Sequence, residues 1–460
     1  MQNAQKIQVS NDGGAPYELQ KPSKMEIFGY GLGDFGYILL WTIVGSFLSF
    51  YYTDVAGISA GVVGTIMLFA RIWDGVTDIA MGVVVDKTKS KHGKARPYLL
   101  WIPIPLALST IFLFTVPDFG MNGKIVYALI TYSLFILMYT MLTIPFKTLL
   151  GLITQDQYSR SLIGVVGALF IQFSALVVNV STQPLASSIG GQKGWTISVT
   201  LFSILSVIML FFTFRLTKER VGDTGTFNKQ KKAPFSITMK ALLKNKYWRL
   251  VTAFCIIYYI LLGLGGSELY YASYVLGSPS YFSIISMVKT IPGLIILFLI
   301  SPFIKRFGKR NTAILGAAFV VLSALIKFID PYSLTFFLTG SMFYGIAKGL
   351  FSATVYAMIN DTAEYGEWKS GIRTTGLVNS SASFGMKIGT GVGAAMVGWL
   401  LAFGGYVGKA AEQSASALQM IFVLNIHLPL IIGVFLLIIL SMYKLDKLYP
   451  EIIADLQKRT

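Results

Sequence analysis

The chain has 460 residues, 54% of them apolar and only 13% charged, against about 45–50% and 25% in soluble globular domains. A bilayer span uses about 20 apolar residues, so this content supplies twelve spans with short loops. It excludes a soluble enzyme on a single anchor, a disordered chain and a fibrous one. The net charge of +17 would suit a nucleic-acid partner, unless the basic residues report topology instead.

In chain order, residues 1–26 are polar and lack the apolar core of a cleaved signal peptide, so they read as a disordered cytoplasmic tail. Apolar runs follow near 28–52, 58–85, 98–116, 125–150, 162–183 and 196–214, forming an N-terminal half over 27–214. A basic linker, 215–249, leads to runs near 250–276, 281–303, 312–329, 335–359, 376–402 and 418–443. These form a C-terminal half over 250–443, with a cytoplasmic tail at 444–460. Of the 38 Lys and Arg residues, 29 fall in the two tails and the even-to-odd loops, 3 in the opposite loops and 6 within spans. Positive residues favour the cytoplasmic side, so both termini are expected there. The charge therefore reports topology, and no nucleic-acid partner is expected. The basic loops recur at matching places, Lys87 to Arg96 after span 2 and Lys305 to Arg310 after span 8. The expected fold is all-α, twelve transmembrane helices in two six-helix halves.

Soluble-enzyme motifs are missing or misplaced. Gly31-Leu32-Gly33-Asp34-Phe35-Gly36 fits G-x-G-x-x-G, but it follows no strand and enters a span, so it is no dinucleotide site. Cys255 is alone and His92 and His427 are far apart, which argues against a disulfide framework or a Cys-based metal site. No enzyme activity and no cofactor are expected.

The informative residues are charges inside the bilayer, each costing about 2.5–3.5 kcal/mol at a span centre. Span 2 carries Arg71, Asp74, Thr77 and Asp78. Residues three and four apart share a helix face, so the two carboxylates repel unless one protonates or both bind a cation. Thr140 of span 4 offers a further oxygen to a hard monovalent cation; no other metal site is expected. The competing interpretation is structural, with Arg71 neutralising one aspartate. In span 11, Asn379, Ser383 and Lys387 form one polar stripe, and Lys387 is placed to pair with the aspartates. Gly385, Gly389 and Gly393 form a smooth stripe beside it. Asp34 is open between a cavity carboxylate and a helix-end cap. Glu268 is expected near the outer face, and Lys289, Lys327 and Lys348 as snorkelling side chains. Tyr30, Tyr37, Trp41, Trp73 and Trp101 are able to stack on sugar faces, although core or lipid-interface roles are the default.

At these residues the chain resembles the glycoside–pentoside–hexuronide:cation symporter family of the major facilitator superfamily, in particular its melibiose permease branch. The resemblance covers roughly 27–450. It rests on Gly29-Tyr30-Gly31-Leu32-Gly33-Asp34, Tyr51-Tyr52-Thr53-Asp54-Val55, Ala70-Arg71-Ile72-Trp73-Asp74 with Asp78, Ile144-Pro145-Phe146 and the block from Asp361 through Trp368 to Arg373. It implies a twelve-helix major facilitator fold in a bacterial inner membrane and cation-coupled sugar uptake. It implies a cation site at Asp74, Asp78 and Thr140 with Thr77 alongside, and a coupling lysine at Lys387. Ile38, Thr143, Lys147 and Ala168 stand where the melibiose branch carries its sugar ligands, which points away from melibiose towards a β-glucoside, xyloside or glucuronide. The substrate and coupling set is then Asp34, Tyr37, Thr143, Lys147, Gln172, Asn379, Ser383 and Lys387. A cytoplasmic gate is expected from Arg71, Arg160, Asp361, Glu364 and Arg373, pairing with basic loops near Lys94 and Arg96. The expected partners are a small sugar or glycoside, Na⁺ or H⁺, and membrane lipid. Rival functions are an amphiphile carrier, such as one for a lysolipid, and a non-transporting sugar sensor.

Overall fold

The structure is a computed structural model that describes residues 21–220, 235–372 and 374–459. Most of the expected N-terminal tail, the centre of the linker and Arg373 lie outside the described residues. Within them every regular element is a helix. Ten helices are long and apolar enough to cross a membrane. The charged helix Ala60–Lys87 and the proline-broken pair Arg96–Trp101 and Pro103–Leu113 bring the passages to twelve.

In chain order they are α1 (Lys24–Phe50, continued by a π turn at Tyr51–Val55), α2 (Ala60–Lys87), α3 (the broken pair), α4 (Met121–Ile153), α5 (Gln157–Ile189) and α6 (Gly191–Leu216). Next come α7 (Lys246–Gly263, prolonged by turns to Tyr274) and a run Tyr281–Ile329 that Gly308, at φ 79°, divides into α8 and α9. The series ends with α10 (Leu334–Ser370), α11 (Thr375–Phe403) and α12 (Ala415–Met442, through a π turn at Val423–His427). Two segments outside the spans are also helical. The linker contains a helix, Phe235–Lys244, and the C-terminal tail is a helix, Leu445–Arg459, packed on α10. Trp368 donates to Asp455 at 3.1 Å, which ties that terminal helix down.

Local chemistry sets the boundaries. Ser23 and Glu26 form a reciprocal capping box that starts α1 three residues before the expected edge of the half. Asp156 caps α5, and the Ser159 hydroxyl (2.6 Å) and backbone N–H (2.8 Å) hold its carboxyl below the usual range. Asn245 caps α7 through the N–H groups of Tyr247 and Trp248. Twelve passages return the chain to one face, here the terminal face. On it, Glu219 accepts the N–H groups of Lys94, Ala95 and Arg96 at 2.8–2.9 Å, and Asp446 that of Arg310 at 2.8 Å.

The first six helices pack among themselves, α1 against α5 and α6 and α2 against α4; the last six do likewise, α7 against α11 and the α8–α9 run against α10. The halves meet where α2 lies on α11 and α8 on α5. Glycine sets the α2–α11 distance. A Cβ on Gly398 would sit 2.5 Å from the Gly64 nitrogen and 2.6 Å from its Cα, closer than any real contact. Gly398→Val should therefore cost about 1–3 kcal/mol, read as a lower unfolding temperature in detergent. Gly75→Ala, with nothing within 4 Å of its added Cβ, should stay near wild type; equal losses in both would remove close packing as the reason.

Candidate functional site

The centre of the interface between the halves is a carboxylate pair sharing one amine. Asp74 and Asp78, one turn apart on α2, both pair with the Lys387 ammonium from α11, Asp74 at 3.0 Å. On the other side, Thr140 of α4 donates towards Asp74 at 3.4 Å and Asp78 at 3.3 Å, and contacts Thr77 at 3.3 Å. Thr77 also reaches the Asp74 carbonyl at 3.1 Å. Asp74, Thr77 and Thr140 are buried. Two carboxylates against one ammonium leave one negative charge, surrounded by hydroxyl and carbonyl oxygens. Pro145, having no N–H, removes the helical donor to the Met141 carbonyl beside Thr140. Arg71 does not neutralise the aspartates: its guanidinium lies 4.4 Å over the Trp41 ring, which stacks on Tyr139.

Next to this pair, Asp34 is buried in α1 and accepts from Tyr37 at 2.9 Å. Gly167 of α5 makes room for it, since a Cβ there would overlap the carboxylate. Lys147 is exposed, on the same face of α4 as Thr140 and the buried Thr143, within electrostatic reach of Asp34. Tyr30, Tyr37 and Phe146 pack as an aromatic wall around Asp34. Gln172 is half-buried on α5, and seven residues along Asn179 keeps a buried carbonyl oxygen without a partner. Asn379 and Ser383 are exposed, two turns and one turn from Lys387 towards the terminal face; Asn379 bonds the Thr375 carbonyl at 3.0 Å. Trp101 is 71% exposed, outside this cluster.

The expected gate residues are not brought together. Asp361 pairs with Lys309 at 2.7 Å, Glu364 accepts from Tyr449, and Arg160 donates to the Thr154 carbonyl at 2.7 Å. Each partner lies in the residue's own half. Arg71 stands in mid-helix among membrane-buried rings, not on the terminal face. Between described residues, the hydrogen bonds and ion pairs that join the halves lie at the centre and the opposite face.

That opposite face carries an arrangement the residues did not suggest. Asp54, at the end of α1, accepts from Tyr274 of α7, from Tyr406 beyond α11 at 2.7 and 2.8 Å, and from Thr53 at 2.6 Å. Thr53 in turn meets Tyr270 at 2.8 Å. Trp399 to Thr65 (3.2 Å) and Ser283 to the Val180 carbonyl (2.8 Å) add further ties. The available signal was the spacing of Tyr270 and Tyr274, one helical turn apart. The reading of Lys289 and Lys327 as snorkelling is corrected: Lys289 pairs with Glu268 and Lys327 is buried.

The sequence matches the MFS/sugar transport protein family over residues 29–447. It is 32% identical over 446 residues to the isoprimeverose transporter of Lactiplantibacillus pentosus, covering 94% of this chain and 91% of the relative. It is 31% identical over 414 residues to the inner membrane symporter YicJ of Escherichia coli strain K12, covering 89% of each. A proton-dependent oligopeptide transporter structure superposes with a TM-score of 0.68 at 11% identity, over 94% of this chain and 100% of that one; at that identity the likeness speaks for the fold.

Asp54 should hold the opposite face shut. Each hydroxyl bond to a carboxylate contributes about 1.5–3 kcal/mol, and a net loss of one or two kcal/mol shifts a population about 5–30-fold. With a cysteine at Asn179 as reporter, an impermeant thiol reagent added on that face should label Asp54→Ala faster than the parent by such a factor. Equal labelling rates would show that the clasp does not set this closure.

Proposed function

The chain belongs to the MFS/sugar transport protein family, and from that premise we propose that it is a symporter drawing a neutral sugar or glycoside into the cell with one Na⁺ or H⁺. It is a transporter and not an enzyme. The observation that carries the coupling is the Asp74–Asp78 pair with one shared lysine from the other half. One monovalent cation balances the remaining charge, and its binding weakens the hold of both carboxylates on Lys387. Freed from them, Lys387 and the neighbouring Asn379 and Ser383 turn to the sugar, so cation and sugar strengthen each other's binding reciprocally.

Closure at the Asp54 face, with Glu219, Asp361 and Glu364 paired inside their own halves, supports a carrier facing its terminal side. We place that side in the cytoplasm on the distribution of Lys and Arg. Asp361, Glu364 and Arg373 then exchange partners towards the loop at Lys94 and Arg96, or towards Arg160, when the carrier turns outward. One cation crossing 100 mV releases about 2.3 kcal/mol and a tenfold gradient about 1.4 kcal/mol. Their sum, roughly 3.7 kcal/mol, supports accumulation of several-hundred-fold.

Asp74→Asn and Asp78→Asn should each abolish cation-driven accumulation, because each removes a charged ligand and leaves Lys387 without its second partner. Sugar counterflow, which needs no net cation movement, should partly survive. Accumulation at wild-type levels in both variants, assayed under Na⁺, Li⁺ and H⁺ gradients, would reject the coupling site.

The preference for a neutral sugar follows from charge balance. With one cation bound, Asp74, Asp78, Lys387 and that cation sum to zero, and Lys147 has Asp34 within electrostatic reach, so no net positive charge is left over for an acidic sugar. Uptake should be inhibited more strongly by a β-glucoside or xyloside than by the matched glucuronide. Lys147→Ala should change that ratio by less than about tenfold, or 1.4 kcal/mol. A glucuronide preference that disappears in Lys147→Ala would reverse the assignment.

A second reading, an amphiphile carrier, has one observation in its favour: an open apolar groove of about 710 Å³ between α2 and α4, lined by Val62, Ile66, Phe69 and Ile125. Inhibition of sugar uptake by a lysolipid, absent in Ile66→Trp, would support it.

A further inference from the structure

The C-terminal half contains a second charged cluster, inside its own bundle and separate from the Asp74–Asp78 site. Glu268 of α7 pairs with Lys289 of α8. Lys327 of α9 and Lys348 of α10 lie within electrostatic reach of both members of that pair. Lys327 is 6% exposed, its ammonium 4.1 Å over the Phe337 ring. The four residues come from four helices, and the sum is three amines against one carboxylate.

A buried ammonium without a counter-charge costs several kcal/mol, and Glu268 is already committed to Lys289. Deprotonation is one way out, but the face of an aromatic ring stabilises the charged form of an amine, and so does the nearby carboxylate. With three amines around one carboxylate, an anion beside Lys327 is the other way to balance the charge. Beside it is a cavity of about 30 Å³, lined by Ser267, Glu268, Ser323, Lys327, Tyr344 and Asn425. That space, about 30 Å³ for the centres of water-sized groups, admits a water or a small ion. Asn425 is turned to the backbone of α12 and to Ser267, at 3.0 and 3.2 Å. Ser323, Tyr344 and Lys327 line the cavity as groups able to donate; the Glu268 carboxylate lines it too and is paired with Lys289, which leaves the Lys327 charge to be met by a small anion.

We propose that this cavity binds a halide-sized anion between Lys327, Ser323 and Tyr344, as a structural counter-ion of the C-terminal half. A ligand that binds only the folded state raises the unfolding temperature by mass action. The purified full chain should therefore unfold several degrees higher in sodium bromide than in sodium gluconate. Sodium is equal in both, so occupancy of the Asp74–Asp78 site does not enter. Lys327→Met should lose this bromide increment. In gluconate it should be no less stable than wild type, because exchanging a buried charge for an apolar chain of similar volume is neutral or stabilising. Crystals soaked in bromide should show an anomalous peak between Lys327 and Tyr344. Equal midpoints in the two salts, a bromide increment that persists in Lys327→Met, or a map without that peak would each overturn the proposal. If Lys327→Met does not fold, the bromide peak in the wild-type protein decides alone.

Discussion

The structure depends on one constraint: two carboxylates and an amine sit in the middle of a bilayer, where an uncompensated charge costs kilocalories. Asp74 and Asp78 are on one half and Lys387 on the other. None of the three is stable alone, so the pair ties the halves together at the level where a carrier has to bind its cargo. A helix pair that only had to pack would use small residues, as α2 and α11 do at Gly64 and Gly398. Charge at this place makes the contact dependent on what else is bound. That dependence is the physical content of coupling, since a ligand shifts an equilibrium only by its differential affinity for the two states.

The two ends of the molecule solve their closure differently. At the Asp54 face, neutral hydroxyls converge on one carboxylate, and the donors come from both halves. On the terminal face, Glu219, Asp361 and Glu364 are satisfied inside their own halves by backbone N–H groups, Lys309 and Tyr449. The first arrangement joins the halves, and the second is made within each half. In the proposed cycle, rocking about the central pair undoes the Asp54 contacts and recruits partners on the terminal face. Hydroxyl bonds suit this because the released groups are rehydrated, which limits the net loss to about 1.5–3 kcal/mol each.

Most of the fold was legible because bilayer physics leaves little choice. Twelve apolar runs, a lopsided distribution of Lys and Arg and a polar break in the middle specify the architecture, and the passages fall close to the expected limits. The central site was legible for the same reason: Asp74, Asp78 and Lys387 cannot be explained as lipid-facing residues. The terminal helix Leu445–Arg459 was not legible as a separate element because it is short and packs on α10 outside the spans. The Asp54 clasp was missed because it joins residues more than 200 positions apart, of a type that lipid-interface roles explain equally well. Asp361, Glu364 and Arg160 meet partners other than one another and Arg373 lies outside the described residues; sequence complementarity between loops does not say in which state they meet.

Lys327 shows where sequence reasoning runs out even when the residue is conspicuous. A lysine near the end of a span snorkels by default, and at the sequence level Lys327 is two residues from the end of α9. What overrides the default is Gly340 on α10, against whose missing side chain the lysine stem packs: a Cβ there would lie 2.6 Å from the Lys327 Cγ. The glycine directs the stem inward, Phe337 faces the ammonium, and the outward path to the interface is lost. A charge is thus held in the bundle by one absent side chain, and its compensation has to be found inside the C-terminal half. The central site is short of one positive charge and this cluster of negative charge, so each half-satisfied network specifies the sign of what completes it.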